Sequence, residues 1–297
     1  MDERNSVGIA LGHESIATVS ALDRKLGLVV DDTARHTEFG FANKEIAHVC
    51  AADSMAALAF TTSRSGYARE LGLAHVHGLG PTIGLAMIVL RLNDWVPQVR
   101  AASVKAIERL MKNDGGPNGG LHYMIAGSMG LLLDENRFGR MAQPERNTVE
   151  ALISYPNVKD ALRRILVFGD SDRADNQILH IILQTGFYDE LLPEIAEKAK
   201  CSYRRLIASR VILYGKYIWK EEGKVRERKI ELQAYTLKVV RSALLDKSAN
   251  VAFAALGFLI ETRNLSALDD STIEKFLGRP EASLAKRIAV LRSMIGR

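Results

Sequence analysis

The segment DWVPQVRAASVKAIERLM, from Asp94 to Met111, sets an acid five and six positions ahead of Val99 and Arg100, then runs on in small, apolar and helix-forming residues. The same spacing returns elsewhere. Ser63 precedes Ala68 and Arg69, Asp246 precedes Val251 and Ala252, and Arg279 precedes Leu284 and Ala285, while a weaker copy, KCSYRRLIASRVIL, begins near residue 200. The starts at 63 and 94 lie 31 residues apart, and those at 246 and 279 lie 33 apart. A unit of that length has too little core to stand alone, so copies must bury one another's apolar stripes.

Helical periodicity with short breaks at Gly, Pro, Asp or Asn fills the chain. It predicts helices at about 14–24, 43–60, 66–78, 81–92, 97–112, 121–133, 144–154, 157–168, 174–186, 188–199, 201–219, 225–245, 248–262, 270–278 and 281–295. The clearest loop is KNDGGPNGG at 112–120, which reads as a hinge. Alternating runs of β-branched and aromatic residues are scarce, so extensive sheet is not expected.

The spacing quoted above resembles the HEAT repeat, in which the second helix of each pair opens with Asp, four variable residues, Val-Arg and small apolar positions. DWVPQVRAA matches well, the copies at 63, 246 and 279 match in part, and residues 114–197 carry no good copy. The resemblance implies an all-α, right-handed superhelical solenoid of about six or seven helix pairs. It would run from about residue 40 to the end behind a diverged N-terminal cap at 1–40, as one domain over 1–297. Second helices would line its concave face.

Asp94, Trp95 and Arg100 admit two readings. A catalytic one makes them a general base, a stacking platform and an anion clamp. That composition is similar to the HEAT-like alkylpurine DNA glycosylases, although their motif does not map onto these positions. The structural reading has Asp94 capping the turn into the 97–112 helix and Arg100 paired with a turn acid of its own or a neighbouring repeat. Arg69 at the same offset favours the structural reading, and Trp95 stays unassigned by it.

Charge is uneven along the chain. Residues 198–247 hold 14 Lys and Arg against 5 Asp and Glu, whereas residues 1–197 hold 19 against 25. Within CSYRRLIASRVILYGKYIWKEEGKVRERK, a helix over 201–219 would gather Arg205, Ser209, Lys216 and Lys220 on one face, opposite a stripe of Ile207, Val211, Tyr214 and Ile218. Arg226, Arg228 and Lys229 would open the next helix. Tyr203, Tyr217 and Trp219 interleave with these cations, a composition suited to phosphate contacts and base stacking. The candidate binding set is therefore Arg205, Lys216, Trp219, Lys220, Arg226, Arg228 and Lys229, with Trp95 and Arg100 as the alternative.

No catalytic or cofactor motif accompanies these residues. The histidines are scattered and HExxH is missing, no lysine follows the glycine-rich loop as a phosphate loop requires, and Cys50 and Cys201 give neither a disulfide framework nor zinc spacing. No metal and no cofactor are expected. The start, MDERNSVGIALGHES, lacks the apolar core of a signal peptide, and apolar stretches reach only about ten residues, so a cytoplasmic protein without membrane association is expected. The leading expectation is a non-catalytic scaffold that binds a protein or peptide on its concave surface. The alternative is a nucleic-acid-binding HEAT protein using residues 198–247, with a DNA-glycosylase-like enzyme as its extreme form.

Overall fold

The computed structural model describes residues 43–76, 81–113, 120–133, 139–170, 173–221, 223–263, 268–279 and 282–294. The cap at 1–40, the helix expected at 14–24 and most of the 112–120 loop lie outside them. The described chain is predominantly helical and divides into two compact units, one ending at Leu162 and the other beginning at Arg163.

The first unit holds α1 (Asn43–Ala52), α2 (Ser54–Phe60), α3 (Gly66–His75), α4 (Pro81–Arg91), α5 (Pro97–Asn113), α6 (Leu121–Gly127), α7 (Met129–Leu132), α8 (Gln143–Ile153) and α9 (Val158–Arg163), whose last residue opens the second unit. The expected 43–60 helix is two helices. Asp53 stays extended and its carboxylate accepts the Met55 N–H at 2.8 Å, starting a second helix where the first would have run on. The 121–133 helix is likewise interrupted, at Ser128. α3 packs against α1, α2 and α5, while α5 also meets α4 and α8. Gly72 permits a close approach: a Cβ there would lie 2.5 Å from the Ala57 carbonyl oxygen and 2.8 Å from the Thr61 nitrogen. On α5 the buried residues Val99, Ser103, Ala106 and Ile107 follow helical spacing and make one inward stripe.

The second unit begins with a π-helical turn (Arg164–Phe168), then α10 (Arg173–Thr185), a 3-10 turn (Asp189–Leu191), α11 (Leu192–Lys198) and α12 (Ser202–Tyr214). After a two-stranded hairpin come a 3-10 turn (Gln233–Tyr235), α13 (Thr236–Leu244), α14 (Ala249–Thr262), α15 (Asp270–Leu277) and α16 (Ala282–Met294). Here the helices form two rows. α12, α14 and α16 pack in succession, α11, α13 and α15 do the same, and α12 and α14 also pack on α11 and α13 respectively. The small residues Ala252, Ala254 and Ala255 are buried on α14, which lets its neighbours come close on both sides.

The hairpin corrects two sequence expectations. The helix over 201–219 stops at Tyr214, and the one over 225–245 does not begin until Thr236. Between them, β1 (Lys216–Glu221) pairs antiparallel with β2 (Lys224–Lys229), with Tyr217 opposite Arg228 and Trp219 opposite Arg226. Gly215, at φ 65°, ends α12 in the left-handed conformation, and Gly223, at φ 78°, turns the chain between the strands. Once α12 is ended, the alternation of Lys216, Tyr217, Ile218, Trp219 and Lys220 suits a strand with one covered face.

Among the described residues, no helix is long and apolar enough to cross a membrane.

Candidate functional site

The arginines at the repeated offset are structural pins. Arg69 donates through Nη1 to the Ser63 and Arg64 carbonyls at 2.7 and 2.9 Å, and through Nη2 to Asp94 Oδ1 at 2.9 Å. Its Nε lies 2.8 Å from Asp94 Oδ2, and both side chains are almost wholly buried. Asp94 Oδ1 also accepts the Val96 N–H at 2.9 Å. Arg205 repeats the arrangement: Nη1 donates to the Ala199 and Lys200 carbonyls at 2.6 and 3.0 Å, and Nε and Nη2 grip Asp246 at 2.5 and 2.9 Å. Asp246 Oδ1 accepts the Ser248 N–H at 2.7 Å. In each case the guanidinium binds the carbonyls six and five residues before it and the turn acid of the next copy, whose carboxylate in turn holds the amide two residues on.

Arg100 follows a variant of this scheme. It donates to the Asp94 carbonyl at 2.9 Å and to Glu145 Oε1 at 3.2 Å, while Glu145 Oε2 accepts the Ala142 N–H at 3.0 Å. Asp94 thus holds its entry turn as the structural reading requires, and its partner is the arginine of the preceding copy. Arg100 and Arg205 are not open cations. Arg205 is 4% exposed and leaves the candidate binding set, because its charge is already matched by a buried carboxylate. Trp95 is 68% exposed, with the Arg69 guanidinium carbon 5.7 Å from its ring centroid.

Arg204 occupies the valine position of the copy near 200 and is fully buried. It donates to the Ile165, Leu166, Gly169 and Asp170 carbonyls, to Asn176 Oδ1, and to Asp175 Oδ2 at 2.8 Å. One side chain thereby gathers carbonyls from the π-helical turn and from the two residues that follow it.

The remaining candidates, Lys216, Trp219, Lys220, Arg226, Arg228 and Lys229, all lie on the hairpin, divided between its two faces by the two-residue strand period. Tyr217, Trp219, Arg226 and Arg228 share the face that docks on the helices. Arg228 donates through Nε to the Leu183 carbonyl at 2.6 Å and makes a bidentate pair with Asp189 at 2.8 Å on both oxygens. Tyr217 Oη lies 2.6 Å from His180 Nδ1, and Tyr203 Oη lies 2.8 Å from His180 Nε2. Trp219 stacks on Tyr217 with centroids 5.6 Å apart.

His180 carries one N–H and one lone pair when neutral, so one tyrosine donates to it and the other accepts from it. Burial holds the His180 pKa below its ordinary value. Burial, reinforced by the nearby Tyr203, pushes the Tyr217 phenol up to about 12. Both effects favour the neutral forms that this three-residue bridge uses. Its members come from α10, α12 and β1, too far apart in sequence for any local motif to announce them.

The opposite face of the hairpin carries Lys216, Ile218, Lys220, Val225, Glu227 and Lys229. Ile218 is 50% exposed and Val225 is 67% exposed. Lys216 meets Glu227 at 3.2 Å and Lys229 meets Glu231 at 3.4 Å, both in solvent, where such pairs hold weakly. Lys220 and, on the docking face, Lys224 hold no carboxylate among the described residues.

Among the described residues, no group of three or more His, Cys, Asp and Glu side chains could hold a metal ion. Both cysteines are buried, and burial raises the Cys50 thiol to about 11, where it is a poor nucleophile. Compared with protein families, characterised proteins and solved structures, the chain matches none.

Proposed function

We propose that this protein is a non-catalytic scaffold of HEAT-like helix pairs that binds an acidic protein partner through the hairpin of its second unit. The carrying observation is the outward hairpin face, where half-exposed Ile218 and largely exposed Val225 sit among Lys216, Lys220 and Lys229. Apolar side chains ringed by charge favour a protein surface, which can cover the one and pair with the other. The HEAT-like reading draws support from the arginine pins at Arg69 and Arg205 and from the two helix rows of the second unit. The same pins speak for the non-catalytic reading, since the acid and cation of the alternative trio are already engaged, Asp94 with Arg69 and the Val96 amide, Arg100 with the Asp94 carbonyl and Glu145.

The test compares wild type with a Lys216→Glu/Lys220→Glu/Lys229→Glu variant as bait. A protein retained at physiological salt by wild type and lost by the equally folded variant supports the reading; identical retention by both overturns it. Nucleic acid is the second reading, favoured by the net positive hairpin and by Trp219 stacked on Tyr217. It predicts gel retardation of single-stranded DNA that vanishes between about 50 and 200 mM salt.

A further inference from the structure

A two-stranded sheet leaves backbone groups open along its outer edges. Here the phase of the ladder says which ones. Ile230 N–H donates to the Gly215 carbonyl at 2.8 Å, making that pair hydrogen-bonded. Stepping by two along the register, Tyr217 and Arg228, Trp219 and Arg226, and Glu221 and Lys224 exchange their bonds across the hairpin. The amides and carbonyls of Val225, Glu227 and Lys229 therefore point away from β1. β1 lies against α10 and α12, whereas five of the six residues of β2 are exposed.

We propose that the outer edge of β2 accepts an extended peptide from the partner as a third strand, and that the peptide alternates apolar and acidic side chains. This rests on the reading of the hairpin as a partner site and names the partner's form. The alternation follows from the faces. A strand laid beside β2 places every second side chain beside Val225, Glu227 and Lys229, on the face where Ile218 lies one strand further in, and the others beside Lys224 and Arg226. An apolar residue suits the place beside Val225, and acids suit the second set. A second copy of this chain is a poor occupant, because β2 against β2 would set Lys224, Arg226, Arg228 and Lys229 against their own kind. A nucleic acid is also disfavoured: Arg228 is bound to Asp189, Glu227 stands on the outward face, and Val225 gains nothing from phosphate.

The experiment uses the full chain and a fluorescein-labelled peptide of alternating valine and glutamate, read by anisotropy. Controls are the same peptide with lysine for glutamate, and a labelled thymidine oligonucleotide. Val225→Pro removes an edge N–H that the hairpin's own ladder does not use, so β1 and β2 stay paired. Wild type should bind the acidic peptide and neither control. Val225→Pro should weaken binding about tenfold, the worth of a lost hydrogen bond and its alignment, while Val225→Thr keeps it. Peptide should also slow hydrogen exchange at Val225, Glu227 and Lys229 in wild type, a readout independent of any variant's folding. Binding that survives Val225→Pro but is lost in Lys220→Glu/Lys224→Glu, without protection of those amides, overturns strand addition and leaves the partner site standing. Indifference to both variants overturns strand addition and the site together. Failure of wild type to bind the peptide, binding of the lysine peptide as well, or preference for the oligonucleotide each overturns the inference.

Discussion

Arg205 reaches 41 residues along the chain to hold Asp246, with Nε at 2.5 Å and Nη2 at 2.9 Å from its two oxygens, and it does so in the geometry with which Arg69 holds Asp94. Both pairs are nearly dry. An arginine that has given up its water for carbonyls and one carboxylate depends on all of them, and loss of the acid leaves a buried charge with no counterion.

Asp246→Ala and Asp94→Ala should each destabilise the chain by about 3–5 kcal/mol, the usual cost of breaking a buried pair from one side. Urea denaturation followed by circular dichroism measures this. A double replacement, Arg205→Met with Asp246→Ala, should recover part of the loss; no recovery would show that the pair itself is not the source.

Trp95→Ala should behave oppositely. With 68% of its surface exposed, Trp95 contributes a contact to the Arg69 guanidinium worth about 0.5–1 kcal/mol at most. A loss well above that in the same denaturation experiment would mean that the indole is doing more than covering the pin.

Gly72→Ala should cost roughly 1–3 kcal/mol despite the better helix propensity of alanine, because the new methyl meets backbone atoms of α2 that have nowhere to go. A melting temperature unchanged from wild type would show that α2 and α3 can separate freely.

His180 makes stability depend on pH. Its folded pKa lies below the ordinary 6.5, so the unfolded chain takes up the proton first as pH falls. The unfolded state then binds more protons than the folded one, and stability drops as pH falls below the ordinary value. The groups facing the ring are the Tyr203 and Tyr217 hydroxyls. Replacing His180 with Gln should flatten the difference in urea midpoint between about pH 7.5 and 5.5. An unaltered slope would assign the acid sensitivity to other groups.

Much of the helical layout is legible in the sequence because its punctuation is local: Pro97 at the first residue of α5 and Asp269 accepting an amide at the start of α15. The spacing of Arg69 and Arg100 also carries real information, although it does not say which acid each would find. The hairpin escapes because Ile207, Val211, Tyr214 and Ile218 continue a helical stripe across Gly215, and a stripe of four outweighs one glycine when only periodicity is weighed. Arg205 misleads for a related reason: arginine is usually a surface residue, and Asp246, which makes burial tolerable, lies 41 residues away. The grouping of His180, Tyr203 and Tyr217 depends on three elements meeting and has no sequence-local trace.

The hairpin is moored to the helices from one side alone, through Tyr217 and Arg228, while Lys216, Ile218, Lys220, Val225, Glu227 and Lys229 look the other way. Mooring residues and outward residues therefore never occupy the same position. Substitutions can rewrite what the hairpin presents to the outside without disturbing how it is fastened, so its outward surface can drift while the helices beneath it stay fixed.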